Sequence, residues 1–142
     1  IRKQAMKLKL SNTNQRRIIL EELKGLKNHP TADELYMLVR KKLPKISLGT
    51  VYRNLELLSA AGHILKLETS GKQKRFDGRS EHHFHMRCSL CERVFDLEDE
   101  SFQDIDNLMQ AKLDELQCDG YSLEINGLCE SCRDSDQNKE HA

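Results

Sequence analysis

The sequence contains no tryptophan, only two prolines, few aromatic residues (5%) and no long apolar run. Because no segment approaches the roughly 18 apolar residues of a membrane-spanning helix, we expect no membrane partner. The first ten residues, IRKQAMKLKL, are basic and lack the apolar h-region of a secretory signal, so we expect a cytoplasmic protein. The sequence also lacks internal repeats and a Pro- or Gly-rich linker, so any boundary between domains is short.

Hydrophobic residues make up 37% of the 142 residues, which is low for a single large core. Two domains of about 70 residues would each have a thin core and would benefit from a structural zinc ion or a dimer interface. The character of the sequence changes near residues 78–82. We therefore predict an α+β fold with one domain over residues 1–79 and another over residues 80–142.

The net charge of zero conceals an uneven distribution of charge along the chain. Residues 1–79 contain 18 Lys or Arg and 7 Asp or Glu, whereas residues 80–142 contain 5 and 16. Two solvated surfaces can differ in this way without a functional reason. A difference this large nevertheless favours a polyanion, and in particular a nucleic acid, as the partner of the first half.

Residues 1–79 show the pattern of three short helices followed by a hairpin. A helix capped near residues 12–14 precedes the capping box Thr31-Ala-Asp-Glu34, and Ser47 can cap the third helix. Two strand-like segments follow, over residues 64–68 and through residues 75–77. This order is typical of a winged helix-turn-helix domain, whose third helix enters the major groove of DNA.

The third helix carries an apolar stripe on one side and polar residues on the other. Any amphipathic surface helix has such a pattern, but its combination with the basic charge favours contact with double-stranded DNA. The residues predicted to be exposed for this contact are Thr50, Tyr52, Arg53 and Asn54.

The second half contains the strongest chemical signal, the cysteine pattern C-x2-C-x37-C-x2-C. Four thiolates at this spacing predict a closed tetrahedral zinc site with a structural role. The alternative is two redox-active pairs, but such pairs lie at the mouth of a helix, and neither pair here is predicted to do so. Cys118 is expected to be a small buried hydrophobic residue. The predicted zinc ligands are Cys88, Cys91, Cys129 and Cys132.

The other elements predicted for the second half surround this cysteine pattern. We expect strands over residues 84–88, 94–97 and 121–125, and a helix whose cap is Ser101. The polar segment over residues 133–142 is expected to be disordered.

Histidine and aspartate residues form a second candidate site around the first C-x-x-C. On a strand, His83 and His85 point to one face and His82 points away, so His82 is expected to be solvated. Asp77 and Asp96 lie close enough in the predicted topology to join them. A set of nitrogen and oxygen donors favours Fe(II), Mn(II) or Zn(II). From the pattern alone, His29 beside Pro30 is more often a surface loop residue than a ligand. If it does bind, the metal would fix the orientation of the two domains and hence the spacing of the recognition helices.

Taken together, the motifs resemble the ferric uptake regulator family of bacterial repressors over about residues 8–132. The resemblance implies a homodimer that binds a palindromic DNA operator through N-terminal winged helices, with a C-terminal α/β dimerisation domain. It also implies that Tyr52 meets the operator and that His29 is a metal ligand. The motifs that carry it are His29-Pro-Thr-Ala-Asp33, Ser47-Leu-Gly-Thr-Val-Tyr-Arg-Asn-Leu55, Arg75-Phe-Asp77, His83-Phe-His85 and the two C-x-x-C pairs.

Within the family, the chain resembles the peroxide-sensing branch. Iron sensors typically carry Glu at the two carboxylate positions, and often a further site where this chain has Phe84 and Tyr121. The resemblance implies regulation by Fe(II) or Mn(II), with peroxide oxidising His29 or His83 and releasing DNA. An iron- or manganese-responsive repressor is the alternative, and a zinc-responsive one is less favoured. The ligand pattern of the peroxide-sensing branch falls on His29, Asp77, His83, His85 and Asp96.

Two other classes of protein fit part of the sequence. An open metal position permits a small metalloenzyme, and the cysteines alone permit a zinc-ribbon interaction module. The sequence offers no evident acid or base beside the ligands and no evident substrate pocket, so we do not expect an enzyme.

Overall fold

A computed structural model describes residues 6–68 and 71–140 of the chain. These residues form two compact units, which meet in the sequence between Glu81 and His82. The first unit contains three helices and a two-stranded sheet, and the second contains a three-stranded sheet and two helices. This composition confirms the predicted α+β class.

The first unit has the element order that the sequence predicts. Its elements are α1 (Asn14–Lys24), α2 (Ala32–Lys42), α3 (Leu48–Ala60), β1 (Leu65–Leu67) and β2 (Arg75–Asp77). The two strands are antiparallel, with Leu65 opposite Asp77 and Leu67 opposite Arg75. The sequence predicts a turn between them at Ser70-Gly71-Lys72, of which Ser70 lies outside the described residues.

Polar caps fix the start of all three helices of the first unit. The Thr13 and Ser47 hydroxyls accept hydrogen bonds from the amides three residues later. The capping box predicted at the start of α2 is confirmed: Thr31 Oγ1 accepts from the Glu34 amide at 3.3 Å, and Glu34 Oε2 accepts from the Thr31 amide at 3.0 Å. Each cap stabilises its helix by about 1 kcal/mol.

One hydrophobic core holds the three helices to the sheet. Phe76, the middle residue of β2, is fully buried in it together with residues from every helix. The fully buried apolar side chains of this core are Ile19, Leu23, Leu35, Val39, Val51, Leu55, Ile64 and Phe76.

The second unit is built around the strand that carries the first cysteine. Its elements are β3 (Phe84–Cys88), β4 (Val94–Leu97), α4 (Glu100–Leu116), β5 (Ile125–Gly127) and α5 (Glu130–Glu140). β3 is the central strand, antiparallel to β4 and parallel to β5.

Four predictions about the second unit are wrong. Asp99, not Ser101, caps α4, because the Asp99 carboxylate accepts from the Ser101 amide. The last strand is β5 at Ile125–Gly127 and not residues 121–125, since pairing with β3 decides its position. Residues 133–140 are helical because α5 continues through them from Glu130. Cys118 is exposed just after α4, where Gln117 adopts a left-handed conformation (φ 55°) that ends the helix.

None of the helices in the described part of the chain has the length and apolar character required to cross a membrane.

Candidate metal and DNA-binding sites

The four predicted zinc ligands come together in the second unit. Cys88 ends β3, Cys91 lies in the turn to β4, and the other two cysteines follow β5. The parallel pairing of Cys88 with Gly127 brings the second pair to the first, although they are about 40 residues apart in sequence. One donor atom from each cysteine lies within 4.8 Å of the others.

The spacing and electrostatics of these cysteines suit a divalent cation. Four sulfurs bound to a tetrahedral zinc at about 2.3 Å lie about 3.8 Å apart, and Cys91 Sγ and Cys129 Sγ are 3.9 Å apart. Burial opposes ionisation of the Cys88 thiol, but backbone amides, foremost that of Cys129, outweigh burial and lower its pKa to about 6. A shared hydrogen bond with Cys129, together with burial, raises the pKa of Cys132 to about 12. A bound cation would stabilise all four cysteines as thiolates.

The second cysteine pair lies at the mouth of a helix, contrary to the expectation from the sequence. Cys129 immediately precedes α5 and Cys132 lies in its first turn. The sulfur geometry still favours zinc, because both pairs converge on one point.

His29 and Asp77 form a buried pair in the first unit. Both residues are at least 96% buried, and His29 Nδ1 lies 3.7 Å from Asp77 Oδ2. His29 adopts a left-handed backbone conformation (φ 45°), which costs a non-glycine residue about 1 kcal/mol. The sequence pattern alone suggested a surface loop position for His29, and its burial corrects that interpretation.

Backbone contacts bring the strand of Asp77 against the loop of His29. The Phe76 amide donates to the Pro30 carbonyl at 2.9 Å. Gly78 packs directly on the last residue of α1, where an added Cβ would lie 2.9 Å from Lys24 Cα. A side chain at position 78 would therefore push the strand away from the helix end, and Asp77 with it.

His83, His85 and Asp96 form a second cluster, which lies within the second unit. Asp96 stands opposite His85 in the β3–β4 register. Its Oδ1 is 2.8 Å from His83 Nε2 and 3.2 Å from His85 Nε2. The two imidazole rings are 4.2 Å apart, as expected for alternate residues on one face of a strand. Imidazole and carboxylate donors so arranged suit Fe(II), Mn(II) or Zn(II).

A third cluster was not anticipated from the sequence. Asp106 of α4 is buried and its Oδ1 lies 2.5 Å from Tyr121 Oη and 3.5 Å from His82 Nε2. His82 therefore has an acidic neighbour, although solvation was expected for it. A signal was available in the sequence, because Asp106 falls on the apolar face of α4, four residues after Phe102 and three before Met109.

The four residues of α3 that the sequence predicts to contact DNA differ in exposure, and Thr50 is half-buried. Tyr52 and Arg53 are exposed, and Arg53 Nη2 donates to Thr50 Oγ1 at 3.2 Å. Asn54 is buried: its amide donates to the Thr50 carbonyl at 2.9 Å and its oxygen accepts from Arg16 Nε at 3.0 Å. The prediction of an exposed Asn54 is therefore wrong, because Arg16 of α1 covers it.

The model of the ferric uptake regulator family matches residues 7–125 of the chain. The chain belongs to this family. Ferric uptake regulators are metal-responsive transcriptional regulators, not enzymes, that bind DNA operators and act as dimers.

Among similar proteins, the peroxide-responsive repressor PerR of Staphylococcus aureus is 33% identical over 122 residues, which cover 86% of this chain and 82% of that protein. The solved Campylobacter jejuni peroxide stress regulator is 28% identical with a TM-score of 0.70, over 83% of this chain and 88% of that one. The ferric uptake regulator from Francisella tularensis, solved with iron, is 26% identical with a TM-score of 0.70, over 87% of this chain and 95% of that one.

The expected cofactors, structural zinc and a regulatory divalent metal, agree with the donor sets described above.

Proposed function

We propose that this ferric uptake regulator is a metal-dependent repressor that releases its operator when peroxide oxidises it. The observation that carries the proposal is the composition of the two His and Asp clusters. Every candidate carboxylate ligand is an aspartate beside an imidazole, which is the pattern that resembles the peroxide-sensing branch. The 33% identity to a peroxide-responsive repressor supports the same assignment.

The first unit, which overlaps the predicted domain 1–79, is proposed to bind DNA through Thr50, Tyr52 and Arg53. Support comes from the exposure of Tyr52 and Arg53 on α3 and from the excess of basic residues. A two-fold dimer would present two such helices to a palindromic operator. We expect this to take place in the cytoplasm.

The second unit, which overlaps the predicted domain 80–142, is proposed to form the homodimer. Ile105, Leu108 and Leu116 of α4 are 41%, 73% and 58% exposed. Their spacing places them on one face of the helix. An apolar face of this kind is typical of a surface that packs against a second copy of the chain.

The regulatory ion, Fe(II) or Mn(II), is proposed to take its ligands from both units. His29 and Asp77 would hold it from the first unit, and His83, His85 and Asp96 from the second. Such a shared ion would favour one relative orientation of the units, and so one spacing of the recognition helices in the dimer. The four cysteines, in contrast, would hold zinc permanently, since a fully ligated tetrahedral ion leaves no open position.

Bound Fe(II) would supply the reducing chemistry that activates peroxide, which Mn(II) would not. The proposed outcome is that one peroxide oxygen enters a C–H bond of the His29 or His83 imidazole, while the other leaves as water. The altered ring is a poorer ligand, so the ion no longer connects the two units. The operator is then released.

Mass spectrometry of the Fe(II)-loaded protein after peroxide treatment tests this proposal. The expected result is a mass gain of one oxygen atom on the peptide that carries His29 or His83, together with loss of operator binding. The Mn(II)-loaded protein is the control and should show neither change. If the Fe(II) protein binds its operator reversibly with iron concentration and gains no oxygen, an iron-responsive repressor is the correct assignment. The structural likeness to the Francisella tularensis regulator solved with iron makes that the second candidate.

A further inference from the structure

Arg75 connects three parts of the first unit at one point. Its side chain is only 12% exposed, and its Nη1 donates to the His29 carbonyl at 3.1 Å. The same nitrogen lies 3.4 Å from Glu34 Oε2. That carboxylate oxygen also accepts from the Thr31 amide in the capping box of α2. Arg75 thus joins β2 to the His29 loop and to the start of α2.

We propose that Arg75 is a positioning residue that sets His29 in its metal-binding conformation. This inference rests on the proposed role of His29 as a ligand. Arg75 and Asp77 are alternate residues of β2, so they share one face of the strand while Phe76 points into the core. Along that face, Arg75 holds the backbone of His29 and Asp77 faces its imidazole.

The left-handed backbone of His29 explains why a positioning residue is needed. A histidine in this conformation persists only where its surroundings hold it there. Two hydrogen bonds from β2 do so: the Phe76 amide donates to the Pro30 carbonyl, and Arg75 donates to the carbonyl of His29 itself. The hydrogen bond from Arg75 to the His29 carbonyl fixes the peptide plane that follows His29. It thereby fixes the direction of the imidazole toward Asp77.

The chemistry of the guanidinium group suits this task better than that of other side chains. Its planar fork offers several donors in fixed directions, so one group can serve a carbonyl and a carboxylate together. A lysine at this position keeps the charge and can reach one acceptor, but without the fixed geometry. A glutamine keeps a donor and loses the charge that attracts Glu34.

Removing Arg75 should therefore weaken regulatory metal binding without removing any ligand. Groups that orient metal ligands typically change metal affinity by about 10- to 100-fold when replaced. For Arg75→Gln we expect roughly a tenfold loss of Mn(II) affinity, and for Arg75→Lys a smaller loss.

The experiment measures Mn(II) binding to the full-length, zinc-loaded chain by electron paramagnetic resonance of the free ion. Arg75→Gln and Arg75→Lys are compared with Lys74→Gln, which removes one positive charge from the neighbouring residue, an exposed lysine that contacts Glu68. All measurements are made below the onset of unfolding of each variant, as followed by circular dichroism. A residue that only stabilises the fold would leave the affinity of the folded protein unchanged.

His29→Ala separates this inference from the proposed function. If His29→Ala binds Mn(II) as tightly as the unsubstituted chain, His29 is not a ligand and the proposed ligand set is wrong. If His29→Ala loses affinity but Arg75→Gln stays within twofold of Lys74→Gln, His29 remains a ligand and the positioning role of Arg75 is overturned. Partial recovery in Arg75→Lys supports that role. So does a shift of the His29 ring resonances in metal-free Arg75→Gln that Lys74→Gln does not show.

Discussion

Asp96 Oδ1 lies 2.8 Å from His83 Nε2, at the end of the β3–β4 ladder that is remote from the turn. The same oxygen is 3.2 Å from His85 Nε2, so one carboxylate faces both imidazoles. The β3–β4 ladder pairs His85 with Asp96, so the strand register itself brings these two groups together.

Asp96→Asn should weaken Mn(II)-dependent operator binding by roughly tenfold or more, because the substitution removes the negative charge that both imidazoles face. Titration of the operator at several Mn(II) concentrations measures the effect. Asp104→Asn, on the exposed surface of α4, is the matched control and should bind as the unsubstituted chain does. Equal metal dependence in both variants would show that Asp96 is not a ligand.

Cys129→Ser should destroy the fold of the second unit, since the substitution removes one of four converging sulfurs from a unit with few buried apolar residues. Zinc content, circular dichroism and sedimentation provide the measurements. Cys118→Ser replaces an exposed cysteine outside the cluster and should retain zinc and its oligomeric state. A Cys129→Ser protein that stays folded with one zinc per chain would rule out the four-cysteine site.

Arg53→Gln should lower the salt dependence of operator binding, because each phosphate contact that is lost reduces the number of counterions released. The slope of log affinity against log salt should decrease by about 1. Lys112→Gln makes the same charge change in the acidic second unit, where Lys112 pairs with Glu115, and should leave the slope unchanged. An unchanged slope for Arg53→Gln would place its side chain away from the phosphates.

Asn54→Ala should destabilise the first unit by about 1–3 kcal/mol, because Arg16 Nε and the Thr50 carbonyl lose their buried partner. Urea denaturation measures the loss, and Gln15→Ala, an exposed residue of α1, is the control. Operator affinity at low temperature should fall little in the folded protein. A large loss of affinity with unchanged stability would indicate that Asn54 contacts DNA after all.

Features that depend on neighbours in sequence were predictable. The caps at Thr31 and Ser47 depend on residues three positions later, and the strand alternation of His83 and His85 depends on residues two apart. The cysteine pattern was equally informative, because few functions other than zinc binding require two C-x-x-C pairs.

Features that depend on distant contacts were not predictable. Asn54 looks exposed on a helical wheel, and only Arg16, 38 residues earlier, shows why it is buried. Pairing with β3 places the last strand at Ile125–Gly127, which the alternation of residues 121–125 does not reveal. The left-handed backbone of His29 also has no sequence signal, since it arises from hydrogen bonds with a strand 46 residues later.

β3 ends in Cys88, begins one residue after His83 and contains His85. Its pairing with β5 brings the second cysteine pair beside the first, so the zinc ligands and the histidine ligands are carried by one strand and its neighbours. We therefore expect an order of assembly in a newly made chain, with zinc incorporated first and the regulatory metal afterwards. Under the proposed function, a shortage of zinc would therefore prevent binding of the regulatory metal, whatever the supply of that metal.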